Sequence, residues 1–400
     1  MPRAGKMRTA FLLLIVFVFL LPLGSMTFFT LFSARSAADF GFYRLELAGI
    51  ALDTPRPTFS IQDWLSHGFQ VKLDKWFNRS FGARALFVKL GNQIYYDLFN
   101  KSYMYDQSII IGKNKTLYEV GYIEDYCKLR PLMPLTHVET RVMELQEIQE
   151  ELHKRGIEFI LLISPSKAAI YPEYIPDVFC DSPKAPSRNY EIFIPLLEKH
   201  KINYVDGHTI TLEAKNRESA PLFCQGGTHW NHLGAYHTAR RLTEKLRTLT
   251  QKPIGTLHIE TLKIDHTPIG SDKDLASLLN LAIPPFDYPV PHPLIITKQA
   301  SYQLGKAVFV GGSFNWILLD ILNKVRIFEG IDFYYYYKLT LETFPIRTSY
   351  PVELSKINWE SDVFNSQILV LEINEAEFHN EYVSAFLSDI SGHLRANPHN

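Results

Sequence analysis

Ile157-Glu-Phe-Ile-Leu-Leu-Ile163 is a continuous apolar run of buried-strand length. It is entered from an amphipathic helix. Val138, Val142, Leu145, Ile148 and Leu152 recur at helical spacing, Thr136-His-Val-Glu139 carries a capping-box signature, and Gly156 stops the element after about Arg155. A helix feeding an almost unbroken apolar strand is the pattern of a parallel sheet covered on both faces. The pattern recurs. A helix around Tyr190–His200 leads to a strand over Ile202–Val205, and a helix around Leu233–Leu249 follows. A strand over Ala307–Val310 enters a helix from Phe314, and a strand over Gln367–Ile373 enters a C-terminal helix near Glu381–Leu394. The expected fold is α/β, a doubly wound parallel sheet with helices on both faces, over about residues 105–400.

Outward from this body, Ser108-Ile-Ile-Ile-Gly-Lys-Asn-Lys-Thr-Leu-Tyr-Glu119 reads as two short strands around a turn, with Gly112 and Asn114 supplying the turn chemistry. Residues 39–104 read as a helical, aromatic lead-in packed against the sheet domain. The Pro-rich stretch 251–300 reads as a loop-and-strand insertion near the active face.

At the N-terminus, Arg3, Lys6 and Arg8 precede an uncharged run from Thr9 to Ala34. About 20 apolar residues cross a bilayer with basic residues left on the cytoplasmic side, so residues 1–35 are expected to form a single-pass membrane anchor. The competing reading is a cleaved signal peptide, with small residues at Ser33-Ala-Arg-Ser-Ala-Ala38. Both put the main domain on the export side, periplasmic or extracellular.

The 400 residues are 46% hydrophobic and 21% charged, an ordinary globular balance. Lys and Arg number 41 against 42 Asp and Glu, so the basic footprint of a nucleic-acid binder is missing. Cys127, Cys180 and Cys224 are too few for a disulfide framework; one bridge and one spare thiol are open, with the pairing undetermined.

Two segments fall where an open parallel sheet binds ligands, outside the carboxyl ends of its strands. Ala307-Val-Phe-Val-Gly-Gly-Ser-Phe314 is a strand ending in two glycines before a serine that opens a helix. Glycines permit the sharp turn, and a helix N-terminus offers N–H groups to a developing oxyanion. Ser313 is thereby placed as a nucleophile, with helix capping as the bland alternative. Phe223-Cys-Gln-Gly-Gly-Thr-His-Trp-Asn-His-Leu-Gly-Ala235 is a polar, Gly-rich loop leading into a helix. His229 on this loop is the candidate base for the serine, and His232 belongs to the helix start. His229, His232 and His237 lack an HExxH pattern and a nearby carboxylate, so no metal is expected; the chain also shows no nucleotide-binding fingerprint and no cofactor is expected.

Together, Gly227-Thr-His-Trp-Asn231 and Val310-Gly-Gly-Ser-Phe314 resemble the alginate O-acetyltransferase family of AlgJ- and AlgX-like proteins, whose fold is SGNH-hydrolase-like. Trp76-Phe77, Phe81-Gly82 and Arg84 look like that family's N-terminal helices. Ile111-Gly-Lys-Asn-Lys-Thr-Leu-Tyr-Glu119 looks like its hairpin, and Ser164-Pro-Ser-Lys-Ala-Ala-Ile-Tyr-Pro-Glu-Tyr-Ile-Pro176 is similar to its loop after the first central strand. Asp274-Leu-Ala-Ser-Leu-Leu279 and Leu371-Glu-Ile-Asn-Glu375 also fit. His229 precedes Ser313, the reverse of ordinary SGNH hydrolases and the order this group shows.

There are two departures. The family's usual Asp-Thr-His-Trp reads Gly227-Thr-His-Trp, and its usual Gly-Asp-Ser reads Gly311-Gly-Ser313. The carboxylate that would orient His229 is thus missing from its usual place. Asp206, at the end of strand Ile202–Val205, is the candidate substitute, and a backbone carbonyl is another.

The resemblance implies an extracytoplasmic polysaccharide O-acetyltransferase working through an acetyl-serine on Ser313, with His229 as base. The oxyanion would sit on the backbone N–H groups of Gly312 and Ser313. It also implies an MBOAT-type membrane acyltransferase as acetyl donor and an exopolysaccharide or cell-wall glycan as acceptor. Lys167, Tyr171, Trp230 and Asn231 are expected to border the substrate cleft. The rival readings are a carbohydrate acetylesterase and a non-catalytic binding or assembly protein.

Overall fold

A computed structural model describes scattered positions between residues 8 and 24, then residues 47–49, 55–80, 84–103, 108–298 and 302–396. Most of the expected anchor over residues 1–35 lies outside them. Among the described residues, no helix is long and apolar enough to cross a membrane. The chain divides into two compact units, residues 1–105 with 276–284 and residues 106–275 with 285–400.

The first unit holds helices α1 (Ile61–Leu65), α2 (Gly68–Ser80) and α3 (Arg84–Phe99). Ser60 caps α1, its hydroxyl accepting from the Asp63 N–H. Asn92 on α3 donates to the Leu279 carbonyl at 2.8 Å, which ties the later segment of this unit to the earlier one.

The second unit opens with the hairpin β1 (Ile109–Ile111) and β2 (Leu117–Glu119), closed by Gly112 N–H on the Thr116 carbonyl. Helix α4 (Val120–Tyr126) follows directly. Helix α5 (Leu135–Lys154) then leads into β3 (Glu158–Ser164). The capping box anticipated at Thr136–Glu139 does not form. Pro134 is the N-cap, and its fixed φ starts the helix without a side-chain cap.

Next come α6 (Asn189–Lys199), β4 (Tyr204–Asp206), α7 (Gly207–Lys215) and α8 (His232–Thr250). The Pro-rich stretch contains an antiparallel pair, β5 (Thr256–Asp265) and β6 (Val290–Lys298). The remaining elements are β7 (Leu304–Gly311), α9 (Asn315–Lys324), β8 (Phe328–Tyr335), β9 (Thr340–Phe344), β10 (Thr348–Pro351), β11 (Ile368–Asn374) and α10 (Glu381–Ala396).

The main sheet has the order β10-β9-β8-β7-β11-β3-β4. From β8 to β4 every pair is parallel, whereas β9 and β10 join antiparallel. The sheet is therefore mixed, not the wholly parallel one expected. Only Tyr336–Leu339 separate β8 from β9, far short of the roughly dozen residues a parallel crossover needs, so the chain turns back as a hairpin.

Alternation along the central strands sorts their side chains into two cores. Phe159, Leu161 and Ile163, with Val308, Val310, Leu369, Leu371 and Ile373, pack under α5, α6 and α10. Ile160, Leu162, Ala307, Phe309 and Val370 pack under α8 and α9 on the other face. That two-sided burial is why these strands read as unbroken apolar runs. Cys127 and Cys180 are bonded to each other, and Cys224 is a buried free thiol.

Candidate active site

Ser313 stands two residues beyond the end of β7, at the carboxyl edge of the sheet. The turn needs glycine at 311, where an added Cβ would come within 2.6 Å of Glu372 Oε2 and 2.7 Å of Glu372 Cβ. The Ser313 hydroxyl does not cap α9, whose N-cap is Phe314 and has no side-chain cap bond. Ser313 Oγ instead lies 2.7 Å from His229 Nε2.

His229 sits on the loop before α8. Asn231 caps that helix, its Oδ1 accepting from the N–H groups of Leu233 and Gly234 at 3.0 Å each. Trp230 is fully buried and its Nε1–H donates to the Phe314 carbonyl at 3.1 Å. The residues after His229 and after Ser313 are therefore bonded to each other, which fixes the spacing of imidazole and hydroxyl.

Lys167 fixes the loop from below. Its buried ammonium donates to the carbonyls of Cys224, Gln225 and Gly227 at 2.7, 2.9 and 2.8 Å. Desolvation pulls its pKa down to about 7. Three carbonyl acceptors match the three donors of the charged form, whereas a neutral amine would leave one unpaired.

The carboxylate on the other side of the imidazole belongs to Asp274. Its Oδ2 is 2.6 Å from His229 Nδ1, and its Oδ1 accepts from the N–H groups of Thr228 at 2.9 Å and Leu275 at 2.7 Å. A carboxylate facing Nδ1 assigns the proton to that nitrogen and leaves the Nε2 lone pair toward Ser313. The side chains of His229 and Asp274 are only 16% and 26% exposed, so water screens the pair weakly.

Asp206, the acid expected from sequence, lies elsewhere. It is the N-cap of α7, with Oδ1 accepting from the N–H groups of His208 and Thr209, and Oδ2 from the hydroxyls of Tyr190 at 2.8 Å and Thr209 at 2.6 Å. Such a cap is fully engaged. At Gly227, where the resemblance implies an acid, an added Cβ would run into the Ser271 carbonyl oxygen and meet the Asp272 backbone at 3.1 Å. The segment that delivers Asp274 occupies that space.

The oxyanion assignment also changes. Gly312 N–H is already engaged, donating to the buried Glu372 Oε2 at 2.7 Å. Ser313 N–H has no hydrogen-bond partner among the described residues. Tyr336 stands beside the turn, where a Cβ on Gly312 would lie 3.5 Å from its hydroxyl, and burial pushes that phenol up to about 12. Glu372 further accepts from Asn315 Nδ2 at 3.2 Å and from the Ser164 hydroxyl. Burial raises Glu372 to about 7, against the opposing pull of its Ser164 and Gly312 hydrogen bonds.

None of the four residues expected along the cleft lines it. Lys167 and Trp230 are buried scaffolding, and Asn231 is a cap whose amide also donates to the Pro221 carbonyl at 2.7 Å. The Tyr171 hydroxyl accepts from Leu222 N–H at 3.0 Å. Of the other histidines, His232 Nε2 lies 3.3 Å from Asp320 and His237 Nε2 lies 3.1 Å from Glu218.

Ser313 opens instead into a cleft of about 150 Å³ whose walls include Glu119, Tyr122, Tyr336, Glu377 and Asn380. That is well below the roughly 300–1,000 Å³ of sites that enclose drug-sized ligands. Asp274, Glu372 and Tyr336 were not picked out as site residues from sequence, although Asp274 and Glu372 lie in segments already noted there.

Residues 131–293 match the family model described as an SGNH hydrolase-like domain of acetyltransferase AlgX. The chain is 27% identical to a probable alginate O-acetylase AlgJ of Pseudomonas aeruginosa, over 64% of this chain and 62% of that protein. It thus spans about 62% of the length of that curated relative. Among solved structures, the O-acetyltransferase domain of Pseudomonas putida AlgJ aligns with a TM-score of 0.43 at 16% identity, covering 72% of this chain and 99% of that one. Pseudomonas aeruginosa AlgX aligns with a TM-score of 0.45 at 13% identity, covering 70% of this chain and 67% of that one. With the motifs at His229 and Ser313, the matches of sequence and family model make this chain similar to AlgJ- and AlgX-like proteins, with the SGNH hydrolase-like match lying over residues 131–293.

Proposed function

We propose that the chain is a polysaccharide O-acetyltransferase that works through an acetyl-serine. His229 Nε2 takes the Ser313 proton as Oγ attacks the acetyl carbonyl of the donor, and Asp274 stabilises the imidazolium that forms. The developing oxyanion rests on Ser313 N–H, with the Tyr336 hydroxyl as second donor. The imidazolium then protonates the leaving group. In the second half a glycan hydroxyl gives its proton to His229, attacks the acetyl carbon and releases Ser313 Oγ, which recovers the proton.

The observation that carries this reading is the continuous hydrogen-bonded chain from Ser313 Oγ through His229 to Asp274, at 2.7 and 2.6 Å. Family likeness supports acetyl delivery by an MBOAT-type membrane acyltransferase and a polysaccharide acceptor on the export side of the membrane. The Cys127–Cys180 bridge fits an oxidising compartment.

The test is incubation with p-nitrophenyl acetate followed by intact-mass measurement. A gain of one acetyl group on Ser313, lost in Ser313→Ala and His229→Ala, is the expected result. Wild type and Ser313→Ala reacting alike would end the acetyl-serine reading.

A further inference from the structure

The walls of the cleft beside Ser313 carry information on the sugar that enters it. Glu119, Glu372 and Glu377 all line it, and among the described residues its lining holds no lysine or arginine. Arg130, the cation against Glu377, is held outside the cleft. It contacts Glu377 at 3.7 Å and Glu124 at 3.6 Å, and donates to the Ala376 carbonyl at 3.3 Å.

The amides are engaged internally. Asn374 donates to the Ser164 hydroxyl and the Pro165 carbonyl, and accepts from Ala376 N–H. Asn380 donates to Glu377 Oε2 at 3.1 Å and accepts from Tyr382 N–H. The half-buried walls therefore present mainly carboxylate, from Glu119 and from Glu377, whose oxygens are already shared with Asn380 and Arg130, beside phenol. Burial first, then Glu119 and Glu377, holds the Tyr122 phenol above its ordinary range, and burial first, then Glu372, does the same for Tyr382.

From this arrangement we propose that the acceptor bound beside Ser313 is an uncharged sugar, presenting hydroxyls to Glu119 and Glu377, and not a uronate. A sugar hydroxyl donates to a carboxylate in a charge-assisted hydrogen bond, whereas a uronate carboxylate would face like charge in a poorly hydrated cleft. The proposal rests on the acetyl-transfer reading and narrows its substrate. The curated relative is named for alginate, a polyuronate, so this chain departs from it in acceptor, not in chemistry. In the transfer step the bond from the acetyl carbon to Ser313 Oγ breaks as the bond to the sugar oxygen forms. The hydroxyl proton passes through His229 to Ser313 Oγ, and no other reactant is needed.

The experiment uses the full chain, acetylated on Ser313 with p-nitrophenyl acetate, and two acceptors that differ at one carbon, methyl glucoside and methyl glucuronide. Acetylated sugar is quantified by mass spectrometry. The glucoside is expected to be acetylated at least about ten-fold faster. Glu377→Gln, which removes one wall charge and frees Arg130, is expected to narrow that ratio several-fold. Equal transfer to both sugars, faster transfer to the glucuronide, transfer to neither, or a ratio unmoved by Glu377→Gln overturns the proposal while leaving the acetyl-enzyme intact. Absence of acetyl on Ser313 sinks the transfer reading itself.

Discussion

His229 Nδ1 faces Asp274 Oδ2 at 2.6 Å across 45 positions of sequence, and the backbone N–H beside the imidazole, that of Thr228, bonds the same carboxylate. The acid is thus held against both the ring and the chain that carries it.

Asp274→Asn tests that relationship. Loss of the carboxylate lets the imidazole adopt the wrong tautomer, so acetylation of Ser313 should slow by roughly 10³–10⁴-fold with the fold retained. Asp206→Ala is the contrasting variant. It should leave the rate near wild type and lower stability by about 1 kcal/mol through loss of the α7 cap. Burst kinetics with p-nitrophenyl acetate and urea unfolding separate the two.

Gly227→Asp would install the acid that the resemblance implies at this position, and it is expected to harm. Even a Cβ at 227 meets the Ser271 carbonyl and the Asp272 backbone, which cannot swing away as a side chain would. Gly227→Ala and Gly227→Asp should both destabilise by about 2 kcal/mol or more and displace Asp274. An unchanged melting temperature with unchanged activity would contradict this account of the glycine.

Lys167→Met removes the donor shared by three loop carbonyls. The Cys224 and Gln225 carbonyls keep the N–H donors of Gly227 and Leu117, so the acceptor left unpaired is that of Gly227, and a loss of about 1–3 kcal/mol is expected in urea unfolding. Acetylation should slow as well, because those carbonyls belong to the loop that aims His229.

Glu372 gives stability a pH dependence of defined sign. Burial raises its pKa from 4.5 to about 7, so the folded state binds this proton more tightly than the unfolded state. The associated stabilisation is fully present below pH 4.5 and is lost as pH rises through about 7, a change of roughly 3 kcal/mol. In Glu372→Gln that slope should flatten, read as urea midpoints between about pH 4.5 and pH 8. A variant as steep as wild type would place the titrating group elsewhere.

The sheet and both principal loops were legible because burial on two faces and glycine at tight turns leave local signatures. The run Ile157–Ile163 becomes β3 over Glu158–Ser164, and the helix expected over Leu233–Leu249 runs His232–Thr250. The strand expected over Ala307–Val310 extends to Leu304–Gly311. What failed depended on contacts between distant segments. Asp206 was plausible at a strand end, but nothing local tells a helix cap from an acid facing a histidine. Gly312 looked free until Glu372, 60 positions on, accepted its N–H. The antiparallel return of β9 was hidden by the aromatic run Tyr334–Tyr337, which is strand at its start and a left-handed turn at Tyr336 and Tyr337.

Asp274 reaches the imidazole on the excursion between β5 and β6, outside the elements that hold Ser313 and His229. Ser313 and His229 are anchored beside the elements of the scaffold, while the carboxylate that meets the imidazole arrives on a strap. A single proteolytic nick in that strap is therefore expected to free the carboxylate from His229 while leaving the contact between Ser313 and His229 in place.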